Sequence, residues 1–323
     1  MISGRKAFIR TEIILGILVV IVLGFIVYNK INSGKEKIAV IVPNVDENQW
    51  SAFKYGLKMA AQEYDIDIVV ISKEGMQTAS DERAVIEQEI RKGADAVIIK
   101  PISDSDEGAK IKQITGKVPV MIVGDKLTGD GKSVFQTIEP DQYAMGVDLA
   151  KQLLENNNGN LDGKTIGIYS EYEVSEAAST RRKGVIDTLE GCGAQILWDV
   201  SKNSESNEEV NLQTQRKVDI VMSLDNASLV EAGEAAANNN LYGALVYGIG
   251  NSSEAVYYLD TKWVQCLVVP DEFEAGYQSV TELVNRLRKR WYKIADKQVA
   301  YTVLTRDNLF SKENQYLLFT ISQ

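Results

Sequence analysis

Residues 37–64 read KIAVIVPNVDENQWSAFKYGLKMAAQEY, a strand, a polar loop and an amphipathic helix in succession. Ile38 to Val42 is an unbroken apolar run rich in β-branched residues, the pattern of a strand covered on both faces in a parallel sheet. Pro43 stops it. Beyond the loop, Trp50, Phe53, Leu57, Ala61 and Tyr64 recur every three or four residues and share one stripe of a helix. In an open α/β sheet, ligands gather where loops leave the carboxyl ends of strands. Val45, Asp46, Glu47, Asn48, Gln49 and Trp50 are therefore candidates for a binding mouth.

The pattern continues outward from this unit. DIVVI (67–71), a helix over about residues 81–92 closed by Gly93, the strand 96–99 ended by Pro101, a helix over about 105–114, the strand 118–123 and an extended segment 134–138 follow in order. Strands alternating with helices of this length imply a doubly wound parallel sheet with right-handed crossovers. A second series then begins: KTIGIY (164–169) with a helix through Leu189, AQILWDV (194–200), DIVMSL (219–224) and ALVYGI (244–249). It repeats the first at an offset of about 125 residues, which predicts two similar α/β lobes. NNNG (156–159) links the two series. VFQTIEPD (134–141) and WVQCLVVPD (263–271) are equivalent extended runs, each stopped by Pro and Asp, and read as crossover strands. Asp141 is placed to cap a helix running to Leu154. Val280, Leu283, Val284, Leu287 and Trp291 form a further apolar stripe among Arg286, Arg288, Lys289 and Arg290. That basic cluster reads either as a solvated helix end or as a dock for a partner or lipid. Gln298 to Leu304 reads as the last strand.

At 323 residues the chain is long enough for two cores. Its net charge is −10, and the asymmetry is larger than that number. Residues 1–37 hold six basic and two acidic side chains, leaving 29 basic against 43 acidic in the remainder. A body this acidic repels a phosphate backbone, so nucleic acid is not an expected partner. There is no histidine. The commonest general base and metal ligand is thus missing, and no nucleophile elbow, phosphate loop or metal-ligand spacing occurs. The chain reads as a non-enzymatic protein with no catalytic residue, metal or cofactor. Cys192 and Cys266 read as buried thiols, with a disulfide open if the fold brings them together.

Ile13 to Tyr28 (IILGILVVIVLGFIVY) is sixteen residues without charge or amide. It lacks the small-residue cleavage pattern of a secretory signal and reads as an uncleaved anchor, slightly short of the roughly 20 residues that span a bilayer. The expected arrangement is a cytoplasmic stretch 1–12, an anchor 13–28, a tether 29–36 and a binding body outside the cytoplasmic membrane.

Several segments together resemble the type I periplasmic sugar-binding proteins, which share their fold with the ligand domain of lactose-repressor-like regulators. These are residues 37–64, GADAVIIKPISDSD (93–106), KVPVMIVGD (117–125), PDQYAMG (140–146) and RRKGVIDTLEG (181–191). The resemblance covers about residues 37–323. It implies two lobes joined by three hinge strands, lobe one over 37–138 and 272–297, lobe two over 140–270 and 299–323, with ligand held in the cleft. It also implies a ligand set. Glu47 and Trp50 fill the roles of a polar side chain and a stacking aromatic, while Gln49 departs from a second aromatic. Asp125 and Lys126 stand for an Asp–basic pair, displaced by Gly124. In the second lobe the usual arginine falls at Ser179, leaving Arg181 as a structural arginine. The usual polar residues fall at Leu224 and Gly250, with Asp225, Asn226 and Asn251 following them. Either Asn226, Asn251, Glu171 and Glu272 supply the missing partners or the ligand is not an ordinary hexose or pentose, because an unpartnered buried hydroxyl costs on the order of 1–3 kcal/mol. From the residues alone, Trp50 also fits a helix core anchor, and Asp125 and Asp225 also fit turn caps. The implied function is capture of a sugar or sugar-like small molecule for an ABC importer. The alternative is a receptor signalling to a membrane sensor kinase.

Overall fold

A computed structural model describes residues 15–22, 34–43, 47–72, 78–102, 107–170, 175–201 and 212–323. Met1–Glu36 and Lys37–Gln323 are separate compact units. In the first, residues 15–22 form helix α1, with Leu15 and Ile17 to Val22 exposed. Residues 13, 14 and 23–28 of the expected anchor lie outside the described residues. Among the described residues no helix is long and apolar enough to cross a membrane.

The body holds two six-stranded sheets. The first has the order β13-β7-β4-β3-β1-β2. It is built from β1 (Lys37–Val42), β2 (Asp67–Ser72), β3 (Ala96–Ile99), β4 (Val120–Val123), β7 (Gln136–Pro140) and β13 (Lys297–Val299). All its pairings are parallel, so side chains alternate between two covered faces. Ile38, Val40 and Val42 pack with Phe53, Leu57, Val280 and Leu283 on one face. Ile41 packs with Ile86, Ile99, Ile111 and Ile122 on the other. The covering helices are α2 (Ser51–Tyr64), α3 (Ala79–Arg91), α4 (Gly108–Thr115) and α9 (Glu272–Arg288). Thr78 and Asp81 form a reciprocal capping box at the start of α3.

The second sheet has the order β14-β12-β11-β10-β8-β9. Its strands are β8 (Thr165–Ser170), β9 (Gln195–Ser201), β10 (Ile220–Ser223), β11 (Leu245–Ile249), β12 (Val264–Pro270) and β14 (Tyr301–Leu304). Helices α5 (Gln142–Asn156), α6 (Glu176–Leu189), α7 (Asn226–Ala237) and α8 (Ser253–Asp260) flank it. The edge strand β14 runs antiparallel to β12, so this sheet is mixed rather than wholly parallel. Asp141 does cap α5, its Oδ1 accepting from the Ala144 N–H at 2.9 Å.

The chain passes between the sheets three times: after β7, after β12, and between β13 and β14. The run expected as one strand over 298–304 is therefore two strands in different sheets, broken at Ala300. Three further elements went unanticipated. β5 (Thr128–Gly129) and β6 (Lys132–Ser133) make a small hairpin, and α10 (Gln315–Ile321) closes the chain. Ile321 joins the core of the second half, whereas the Tyr316 and Phe319 rings meet Phe273 and Tyr55 of the first edge-on, at 5.6 and 5.9 Å. Trp291 does not complete the α9 stripe. The helix ends at Arg288, Lys289 is extended, and the indole is 78% exposed. Both cysteines are free thiols packed in one core, and burial pushes the Cys266 thiol up to about 12.

Each half has one pair of closely crossed helices with a glycine on either side of the contact. A Cβ on Gly56 of α2 would overlap the Phe273 carbonyl oxygen of α9, and one on Gly184 of α6 would overlap the Tyr143 carbonyl oxygen of α5. Backbone cannot yield as a side-chain tip can. We expect Gly56→Ala and Gly184→Ala each to destabilise by about 1–3 kcal/mol in denaturant unfolding. Unchanged midpoints would show that the helices separate freely.

Candidate functional site

The carboxyl ends of β1, β3 and β4 face those of β10, β11 and β12 across a cavity of about 180 Å³. Pro43, Gln49, Trp50, Lys100 and Asp125 line it from the first half, with Glu272 at the start of α9. Ser175, Arg181, Asp225, Asn226 and Asn251 line it from the second. Apart from Arg181, which lies within α6, the wall residues sit in or just after segments that leave the carboxyl ends of strands, so the two sheets point these edges at one another.

Two cations stand on the wall, Lys100 buried and Arg181 partly buried. Lys100 Nζ lies 2.5 Å from Glu272 Oε2, with the side chains 7% and 12% exposed. The same Nζ sits 4.4 Å from the Trp50 ring centroid and 4.8 Å from that of Phe53. Burial pushes Lys100 below the ordinary lysine range, against the opposing pull of Glu272. Arg181 donates from Nε to Gln142 Oε1 and from Nη1 to the Leu224 carbonyl, each at 2.7 Å. Burial lowers its pKa too, while Asp225, Asp125, Glu272 and Glu139 favour the charged form. The Trp50 indole Nε1 is buried and has no hydrogen-bond partner among the described residues.

Hydrogen bonds draw the halves together around the cavity, among them one from Gln142 Nε2 to the Gly124 carbonyl at 2.9 Å. Asp125 Oδ2 accepts from Ser175 Oγ at 2.7 Å, and its Oδ1 accepts from the Ala177 N–H at 3.1 Å, at the start of α6. Burial pushes this carboxyl up, although these donors and the Lys126 N–H favour its ionised form. Asn251 Nδ2 donates to the Gln49 carbonyl at 3.1 Å, and Asn48 Nδ2 donates to Glu254 Oε1 at 2.7 Å.

Of the residues singled out from sequence, Gln49, Trp50, Asp125, Asp225, Asn226, Asn251 and Glu272 stand on the cavity wall. Asp225 also caps α7, accepting from the Ser228 N–H at 2.9 Å, and Asn226 Oδ1 accepts from the N–H groups of Asn251 and Ser252 at 3.0 Å each. Lys126 does not join them. Its Nζ reaches Glu139 at 3.0 Å and Glu176 at 3.5 Å, and it borders a separate depression with Thr137 and Asp296. Glu171 and the side chain of Glu47 lie outside what is described. Lys100 and Ser175 were not singled out, and Arg181 was assigned a structural role. Lys100 had one usable signal, a lone cation directly after the apolar strand 96–99 and before Pro101.

No curated protein sequence matches the chain. Solved structures do. A carbohydrate transporter solute-binding protein from Agrobacterium radiobacter, in complex with D-arabinose, superposes with a TM-score of 0.77 at 16% identity, covering 88% of this chain and 99% of that one. An ABC transporter solute-binding protein from Agrobacterium vitis with bound D-fucose gives 0.74 at 18% identity, over 86% and 98%. A glucose-galactose binding protein from Geobacillus stearothermophilus gives 0.71 at 17% identity, over 86% and 100%. These likenesses show a shared fold. The model of the periplasmic binding protein domain matches residues 38–290, most of the body and the whole cavity wall. The chain therefore belongs to the periplasmic binding proteins, a family of non-enzymatic solute-binding proteins.

Proposed function

We propose that this protein is a membrane-anchored, extracytoplasmic solute-binding protein that captures a sugar or sugar-like small molecule between two lobes and presents it to an ABC importer. The observation that carries the proposal is the cavity between the halves, with an indole, two cations and several amides and carboxylates on its wall. At about 180 Å³ it is smaller than the roughly 300–1,000 Å³ of sites for drug-sized ligands, which suits a single ring rather than an oligosaccharide. Lys100 and Arg181 are offset by Asp125, Asp225 and Glu272, so a neutral ligand with many hydroxyls is matched better than an ion. The sugars bound by the similar structures from Agrobacterium agree with that chemistry.

In this reading the lobes are residues 37–138 with 272–297 and residues 140–270 with 299–323, and the three crossings are the hinge. Ligand favours closure only through the bonds it makes in the closed form and not in the open one. Trp50 stacks on the ring and its Nε1 donates to a hydroxyl. Asn226 and Asn251 hold the opposite wall, and Asp125 latches the lobes at Ser175. The anchor is Ile13 to Tyr28, with residues 29–36 as tether.

In a thermal-shift screen of residues 35–323 against sugars, polyols and nucleosides, a cognate ligand at about one hundred times its Kd should stabilise the body by roughly 2.7 kcal/mol. A panel without any shift would remove the sugar reading. Trp50→Ala should weaken a hit by at least about tenfold, the loss of a stacking face and one donor. Asp125→Ala leaves three donors unpaired, two of them on the opposite half, at on the order of 1–3 kcal/mol, so affinity should fall about tenfold and small-angle scattering of the liganded protein should show a more open form. Unchanged affinity and scattering would mean that Asp125 does not latch the lobes. The full chain should stay with membranes through an alkaline carbonate wash, and its release would overturn the anchor.

A further inference from the structure

The end of α9 carries chemistry that the cavity does not use. Five of the eight residues 286–293 are basic (Arg286, Arg288, Lys289, Arg290 and Lys293) and none is acidic, in a chain of net charge −10. Arg288, Lys289, Arg290 and Lys293 are exposed, and Trp291 stands among them at 78% exposure. The segment is not a loose end. Tyr292 turns inward, its hydroxyl donating to both carboxylate oxygens of the buried Glu282 at 2.9 and 2.8 Å, and the Ala295 N–H donates to the same group at 3.2 Å. Arg286 Nη1 donates to the Arg290 carbonyl at 2.6 Å. With Tyr292 held inward, its neighbour Trp291 is presented outward. Nearby carboxylates are partly engaged: Glu282 also pairs with Lys297 at 3.3 Å, and Glu63 accepts from Tyr277, while Asp65 caps α2.

The position of this patch matters as much as its charge. Arg288 Nη2 donates to the carbonyl of Tyr64, the last residue of α2, at 2.7 Å. Two residues beyond the Asp65 cap, Asp67 opens β2 opposite Lys37, the first residue of the body. The basic patch and the point where the N-terminal segment enters thus share one end of the first sheet. The cavity is at the other end, since α9 starts at Glu272 on the cavity wall and runs seventeen residues, about 25 Å, to Arg288.

We propose that this end of the first half, centred on Arg288, Lys289, Arg290 and Trp291, docks on the anionic phospholipid surface of the membrane that holds the chain. The proposal rests on the anchor reading. Residues 29–36 reach no more than about 28 Å when fully extended, which keeps Lys37 within that distance of the bilayer. An indole is suited to the headgroup layer, and each basic side chain near an anionic surface adds on the order of fivefold to binding. The contact would hold the cavity turned away from the lipid.

The patch is tested on residues 35–323, which contain the separate compact body and lack the anchor. In co-sedimentation, phosphatidylglycerol-containing vesicles should retain the body at low salt, pure phosphatidylcholine vesicles should not, and added salt should release it. Lys289→Glu with Arg290→Glu should lower retention by about twentyfold or more, and Trp291→Ala by a few fold, with melting temperature unchanged. Equal retention on both vesicles, or undiminished retention of the double variant, overturns the proposal. If the full chain is released by carbonate while the body still binds anionic vesicles through these residues, the anchor fails and the patch stands. The reverse result removes the patch alone.

Discussion

At Pro140–Asp141 and again at Pro270–Asp271, one residue ends a strand of one sheet and the next caps a helix on the other half. Proline cannot extend the ladder as a donor, and the aspartate carboxylate takes an orphan N–H of the first helical turn. The crossing and the helix start are therefore forced to coincide, and both prolines line the cavity. The following residue is then the first of its helix. In α5 that residue is Gln142, which holds Arg181; in α9 it is Glu272, which holds Lys100. Equivalent positions of the two halves thus grip the two cations, and two of the crossings and the charge on the wall are set by one repeated dipeptide.

The two grips are not equal. Lys100 is held by a carboxylate, whereas Arg181 is held by an amide oxygen and a backbone carbonyl with Asp125 and Asp225 nearby. Removing one member of a buried ion pair costs more than the pair contributes, because the partner is left charged and dry. Lys100 and Glu272 are consequently tied to each other and give the wall rigidity. Arg181 is fixed through two of its nitrogens, Nε and Nη1.

The fold was legible because its signals are local. β3 spans Ala96–Ile99 as read, and most other strand limits fall within a residue or two, since a strand buried on both faces is a continuous apolar run bounded by polar residues. The break at Ala300 was not legible, since a strand that changes sheets keeps its extended pattern and differs only in its partners. Trp291 misled for a related reason: its spacing fits α9, but the helix stops at Arg288 and Tyr292 takes the inward position. On the site, strand-end positions such as Trp50, Asp125 and Asn251 were legible because the topology names them. Lys100 and Arg181 were harder, because their burial depends on Glu272 and Gln142 from distant segments.

These constraints make the two halves unequal in any closing motion. The first half contains the chain entry at Lys37 and, through α9, spans from the cavity to the basic end at Arg288. If that half docks on a membrane as proposed, closure would be a movement of the second half, carried by the crossings at Asp141, Asp271 and Ala300. α10 resists such movement. Its Ile321 belongs to the second core, while Tyr316 and Phe319 rest against Phe273 and Tyr55, and Phe273 lies just past the second crossing. Edge-on aromatic contacts are worth about 0.5–1.5 kcal/mol each and tolerate small sliding, unlike the directional bonds at Asp125 and Asn251. The rings can stay in contact through a small rotation that breaks the cavity bonds, so opening is opposed mainly at the cavity.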